Sequence, residues 1–271
     1  MYQTEYPINA ALTECLRGKL ADLPALTSLT VLDTVDSTNN YLRMLGDSGA
    51  GSGTVVLARQ QTAGKGRQGR AFYSPPDTGL YLSLLVKPDC IAADILALTP
   101  MAAVAAAETV ETVSGEPVQI KWVNDLLLHG KKICGILCES KFTQNAAKPD
   151  YVIIGAGINL TAPPEGFPPE IADIAGAVSV HCEDASGLFL RTAETLVRRL
   201  FAQYAGLAQR TYLAGYRARL GTIGKQVLVL ENGVSRPAAA LAVDDDLRLL
   251  VRYEDGTEQW RSTGEIRIRE K

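Results

Sequence analysis

Residues 58–86, ARQQTAGKGRQGRAFYSPPDTGLYLSLLV, decide what kind of fold this chain can have. Gly64-Lys65-Gly66-Arg67-Gln68-Gly69 matches the letters of a GxGxxG dinucleotide fingerprint and follows a strand-like run, Thr54–Gln61. That fingerprint has to open a helix whose N-terminus receives a pyrophosphate. Pro75 and Pro76 follow too soon, because proline lacks the N–H and clashes inside a helix. A GxxxxGK[ST] phosphate loop is absent as well. What remains is a loop in which Gly64, Gly66 and Gly69 alternate with Lys65, Arg67 and Arg70, with Arg59 upstream and no acid before Asp77. Glycine lets backbone N–H groups come close to a ligand, and guanidinium forks suit phosphate or carboxylate. The segment is read as an anion cradle leading into a second strand, Leu80–Val86.

On either side the pattern mixes helices and strands. Residues 8–20 have amphipathic helical spacing, and Leu29–Thr34 reads as a strand. Asp36-Ser37-Thr38-Asn39 then precede the helical pattern NYLRML, an N-cap signal. The Ala-rich segment beyond residue 91 predicts a helix with Pro100 at its first turn or at a kink. Val118–Val123 predicts a strand ending at Asn124-Asp125, followed by strands at Ile133–Ser140 and Tyr151–Ile158. Residues 186–206 and 209–220 predict helices. Connections between the strands are short, so several pairs are expected to be antiparallel. After Gly221 short strands predominate: Gln226–Leu230, Ala238–Val243, Leu247–Tyr253 and Thr257–Arg261, with Asn-Gly and Asp-Gly turns. The expectation is an α+β chain in three parts: a helical extension at 1–28, a main domain at 29–220, and a β-meander at 221–271 closed into a small barrel.

Composition bounds the function. The 271 residues carry a net charge of −3, which does not suit coating nucleic acid or an anionic membrane, so anion binding is expected to be local. The N-terminus lacks a basic start and an apolar run, and the Ala-rich stretch is broken by Asp94, Thr99, Pro100, Glu108 and Glu111. A cytoplasmic chain with no membrane partner is expected. Five cysteines are an odd number for a disulfide framework, and Cys134 and Cys138 fall on one face of a strand as small hydrophobes. With only His129 and His181, no zinc site is expected, and Asp244–Asp246 reads as a solvated turn.

Two lysines and two glycines add to the basic loop. Lys121 faces away from Val118, Ile120 and Trp122, and Lys132 begins the strand KICGILCE. Taken singly, such lysines more often guard a strand edge. In VIIGAGINL, Gly155 and Gly157 interrupt a strand, which marks a bulge or the close approach of a ligand, and Asn159 follows.

Taken together, DSTN (36–39), QTAGKGRQGR (61–70), SPPDTGLYLSLLV (74–86), KWVND (121–125), GKKICGILCE (130–139) and IGAGINL (154–160) resemble the biotin–protein ligase family, the biotin–[acetyl-CoA-carboxylase] ligases. Order and spacing agree across residues ~30–160, and GEIRIR (264–269) resembles that family's ending. The resemblance implies a mixed sheet like the core of class II aminoacyl-tRNA synthetases with an SH3-like C-terminal β-barrel. It implies a two-step reaction. Biotin and Mg2+-ATP give biotinyl-5′-AMP and pyrophosphate, and the biotinyl group then passes to a lysine on a biotin carboxyl carrier protein or domain of a carboxylase.

By the same resemblance, Ser37, Thr38, Asn39 and Gln61 contact biotin, with Gly135, Gly155 and Gly157 packing against it. Lys65, Gly66, Arg67 and Lys132 meet its carboxylate. Gly64, Lys65, Arg67, Arg70, Lys121, Asn124, Asp125, Asn159 and Arg269 hold the nucleotide, with Asn124 and Asp125 helping to hold it or its magnesium. Arg67, Lys121 and Lys132 offset the charge that develops when two anions meet. No protein nucleophile is required, no GxSxG is present, and no separate metal site is expected. The chain departs from the family pattern at Lys65 in place of arginine, Val123 in place of proline and Cys134 in place of a small alanine; lysine lacks arginine's bidentate fork. About 28 residues before the first core strand are too few for a winged helix, so no DNA binding is expected. A homodimer stays open. The rival readings are a lipoate or octanoate ligase or transferase, a nicotinamide oxidoreductase resting on GxGxxG alone, and a non-catalytic biotin sensor.

Overall fold

Every residue of Gly79–Val86 is buried, as a continuous apolar run requires of a strand covered on both faces. In the computed structural model this strand, β3, lies inside a seven-stranded sheet. The structure describes residues 6–89, 94–144, 146–179, 184–231, 234–262 and 265–268. In chain order the first elements are α1 (Ala10–Lys19), β1 (Ser28–Val35), α2 (Thr38–Asp47), β2 (Thr54–Gln61) and β3. Next come α3 (Leu98–Ser114), β4 (Gln119–Lys121), β5 (Asp125–Leu128), β6 (Lys131–Lys141), β7 (Tyr151–Asn159), α4 (Ala185–Ala205) and α5 (Tyr212–Arg219). The sheet order is β1-β2-β3-β7-β6-β5-β4. β1 and β2 are parallel, joined through α2, and the other pairs are antiparallel.

The two faces of the sheet have different fates. One carries Leu80, Leu82, Leu84, Ile154, Ala156, Ile158, Cys134 and Ile136 against α3 and α4 in the main core. Small alanines along α3 let it pack closely there, and Ala102, Ala103, Ala105, Ala106 and Ala107 are all fully buried. Ile95–Ser114 is long and apolar enough to cross a membrane, but most of it is buried between the sheet and α4. Pro100 sits in its first turn, where its missing N–H costs nothing, and Gly115 closes it at φ 73°, the left-handed position glycine takes without strain.

The opposite face is covered only in part. Leu32, Val35, Val56, Ala58, Leu85 and Ile153 pack under Leu42 of α2. Along the paired strands the register aligns Tyr81 with Gly157 and Gly135, and Ser83 with Gly155 and Leu137. Large side chains give way to glycine on β6 and β7, so the sheet surface sinks there. This depression is the floor of the site.

Three elements differ from the sequence expectation. The strand predicted over Val118–Val123 stops at Lys121, because Trp122 turns out of the sheet into a second core. Asp125–Leu128 forms a strand that the sequence reading left out between Val118–Val123 and Ile133–Ser140. Ser37 caps α2 by position without a side-chain bond to it, because its side chain is buried at the depression.

The second core belongs to a five-stranded sheet formed by β8 (Gln226–Glu231), β9 (Val234–Val243), β10 (Leu249–Tyr253), β11 (Glu258–Arg261) and β12 (Glu265–Ile268), in the order β11-β10-β9-β8-β12. No pairing between β11 and β12 closes it among the described residues, so the sheet is open where a closed barrel was expected. Trp122 joins Val227, Ala240, Leu249 and Val251 in its core, and its indole N–H donates to the Leu247 carbonyl at 2.9 Å. Asp244, Asp245 and Asp246 pair with Arg248, Arg217 and Arg210. Read from sequence as a solvated turn, the triplet is an ion-paired one in the structure.

Candidate active site

The glycine depression opens into a cavity of about 490 Å³. The end of β1 and first turn of α2 supply Ser37, Thr38 and Asn39, all buried although polar. Gln61 enters from the end of β2, Lys65, Gly66 and Arg67 from the basic loop, and Lys132, Gly135, Gly155 and Gly157 from β6 and β7. Buried polar groups are costly unless paired, and here they pair with one another. Gln61 Oε1 accepts from the Thr38 amide at 2.9 Å and its hydroxyl at 3.2 Å, while Gln61 Nε2 donates to Ser74 Oγ. Ser83, fully buried on β3, has its hydroxyl 2.8 Å from Thr38 Oγ1 and 2.6 Å from Asn39 Oδ1.

The glycines are needed for close approach. A Cβ at Gly157 would stand 2.8 Å from the Phe72 ring, and one at Gly155 would collide with the Asn39 carboxamide. Both neighbours come from this chain, so the backbone approach that the two glycines permit is made by Phe72 and Asn39. Phe72 lies on the basic loop, edge-on to Tyr81 at 6.4 Å between ring centres.

A second cavity of about 640 Å³ adjoins the first and is lined by Arg70, Lys121, Trp122 and Asp125, among others. The two share Gly66, Arg67, Phe72, Asn124 and Lys132. Arg67 donates to Asn124 Oδ1 at 3.0 Å, and Asn124 in turn donates to the Ile136 carbonyl. Lys132 pairs with Asp125 at 2.6 Å. Lys65 donates to Asn40 Oδ1 at 2.5 Å and Asn40 to Asp36, so Lys65 ties the loop to α2. The loop itself folds back as a small hairpin: Gly66 N–H donates to the Arg70 carbonyl and Phe72 N–H to that of Gly64.

Of the residues singled out from sequence, three stand apart. Gly64 lines neither cavity; it packs against Phe72 and Ser74. Asn159 donates to the Gly176 carbonyl at 2.9 Å and fixes the segment after β7. Arg269 lies outside the described residues. Sequence reasoning missed Ser83, Phe72, Tyr81 and Glu139. The signal for Ser83 was present as the one serine inside LYLSLLV. Nothing local marks Glu139, whose partners lie about a hundred positions away. Cys134 and Cys138 face the α3 side, and burial pushes the Cys138 thiol up to about 11 despite a hydrogen bond to Thr99. Neither is suited to act as a nucleophile.

The arrangement is a hydrogen-bonding cavity, with Lys65 at its loop side, joined to a second cavity through a wall that bears Arg67 and Lys132. Comparisons with known proteins bear on the family and the fold. Residues 31–159 match the model of the biotin/lipoate A/B protein ligase family. The biotin–[acetyl-CoA-carboxylase] ligase of Mycobacterium tuberculosis is 33% identical over 235 residues, covering 82% of each chain. The bifunctional ligase/repressor BirA of Bacillus subtilis is 40% identical over 147 residues, 54% of this chain and 45% of that protein, so the chain spans less than half of that relative's length. In fold, the chain resembles the biotin protein ligase of Aquifex aeolicus in complex with biotin and ATP, with a TM-score of 0.72 and 24% identity over 90% of this chain and all of that one.

Proposed function

The chain belongs to the biotin–protein ligase family, and we propose that it activates biotin with ATP and transfers the biotinyl group to a lysine of a carboxylase's carrier domain. The observation that carries this reading is the shared wall. An acid seated in the inner cavity has its carboxylate at Arg67 and Lys132, and a nucleotide in the outer cavity brings its α-phosphate to the same two cations.

The carboxylate oxygen attacks the α-phosphorus and pyrophosphate leaves, giving the mixed anhydride. Both reactants are anions, so a fixed guanidinium and ammonium stabilise the charge that develops between them. Lys121 lines the outer cavity and faces the departing phosphates. The carrier lysine's amine then attacks the acyl carbon, forming the amide and releasing AMP. The neutral donors and acceptors of Ser37, Thr38, Asn39 and Gln61 suit a ureido head, which presents both N–H and C=O. A lipoyl or octanoyl tail offers them nothing to bond, which favours biotin.

Magnesium enters with ATP. Asp125 beside Asn124 is a donor set suited to an ion that keeps water and phosphate oxygens in most of its coordination positions. When bound, it would neutralise phosphate charge. We read residues 29–220 as the catalytic domain, with a core like that of class II aminoacyl-tRNA synthetases, and residues 221–271 as an SH3-like domain. The test is pyrophosphate release with biotin, lipoate and octanoate offered separately, followed by transfer to a biotin carrier domain. Biotin alone should support turnover; turnover with lipoate or octanoate instead would reverse the assignment.

A further inference from the structure

Asn39 is held from both ends of its carboxamide. Its Nδ2 lies 2.8 Å from Glu139 Oε2 and 3.4 Å from the Leu137 carbonyl, while its Oδ1 lies 2.6 Å from the Ser83 hydroxyl. An ionised carboxylate only accepts, so the NH2 group must turn toward Glu139 and the oxygen toward Ser83. The opposite flip would set oxygen against carboxylate. Glu139 is itself fixed by Arg43, whose Nη2 donates to its other oxygen at 2.5 Å. The register explains how this chain of bonds reaches the pocket: Glu139 pairs with Ile153 on the depressed face, one row beyond Leu137 and Gly155, and α2 carries Asn39 and Arg43 one turn apart above it.

We propose that Glu139, held by Arg43, is a positioning residue that fixes the polarity of the Asn39 carboxamide. Both Asn39 N–H groups are used within the protein. Its oxygen keeps a second lone pair at the cavity over Gly155. The pocket therefore presents an acceptor there, and it selects a head group with an N–H donor. This rests on the ligase reading for the identity of the ligand, though not for the orientation of Asn39.

The test separates the two. In 15N-labelled protein, the Asn39 side-chain amide protons should be protected from exchange in wild type and lose that protection in Glu139→Ala. Glu139→Ala should also raise the KM for biotin roughly tenfold, the scale of a lost charge-assisted hydrogen bond, with kcat changed less than twofold. Glu139→Gln has one acceptor oxygen for two donors and should fall between. Adding Arg43→Met removes the competing donor, so Arg43→Met/Glu139→Gln should recover most of the wild-type KM. A fall in kcat at unchanged KM, or unchanged Asn39 protection in a folded Glu139→Ala, overturns the proposal. Lost protection in a protein that never adenylates biotin would leave it standing and reject the ligase reading instead.

Discussion

Arg67 is the residue on which the two cavities turn. It lines both, and its hydrogen bond to Asn124 sets its direction. Replacing it by alanine should slow adenylate formation by on the order of 10²-fold, since a fixed donor to the developing charge is removed. It should also speed loss of biotinyl-AMP into solution, because that cation holds the product. Single-turnover formation and filter retention measure the two effects, and wild-type retention in Arg67→Ala would reject the loop's role. Gly157→Ala tests the depression. Its methyl would press on the Phe72 ring at 2.8 Å, forcing the loop outward, and biotin KM should rise by roughly tenfold or more while the melting temperature changes little. At this scale the sequence spoke clearly wherever chemistry and backbone coincided, as in the basic loop and the paired glycines. It was silent on Phe72 and Glu139. Their importance comes from what stands across the sheet, and no local pattern encodes a partner at that separation.

Among the elements, α3 and α5 share the main core and are also joined by an ion pair. Arg219 donates to Glu111 through Nε at 2.9 Å and Nη2 at 2.6 Å. Burial disfavours the charge on Glu111, yet the Arg219 bonds and charge and the Val118 N–H outweigh it and hold the carboxyl below its usual range. A depressed acid stabilises the fold above its unfolded-state pKa, and that stability is lost as pH falls through the folded value. Glu111→Gln should therefore cost about 1–2 kcal/mol at neutral pH. Urea midpoints of mutant and wild type should converge in acid, below the folded pKa of Glu111. A constant gap across that range would show that shape, not charge, is what Glu111 supplies. Element positions followed from hydrophobic period wherever a segment buries one or both faces in the same core, as β2 and β3 do. The period failed at residues 118–128. There Trp122 is claimed by another core and ends early the strand expected over Val118–Val123, and the short strand Asp125–Leu128 was not expected at all.

Across the whole molecule, Trp122 links the second sheet to the outer cavity. Its indole is buried among Val227, Ala240 and Leu249, its amide donates to the buried Thr222 hydroxyl, and Asn124 follows two residues on. Trp122→Phe keeps most of the packing but orphans the Leu247 carbonyl, which should cost about 1–3 kcal/mol. The same change should raise the KM for ATP more than that for biotin, since Trp122 lines only the outer cavity. Equal effects on both substrates would mean that the sheet acts on stability alone. The pairing of β3 with β7 has a further consequence, for the order in which the molecule is made. β3 leaves the ribosome with one edge satisfied by β2, but its other partner lies beyond residues 87–150. At ~5–20 residues per second, that edge waits several seconds for its match. The strand is largely apolar and uncharged, so during that interval the nascent chain carries an unpaired, aggregation-prone edge. The growing polypeptide depends on α3, made next, to shield one face of β3 until β7 arrives.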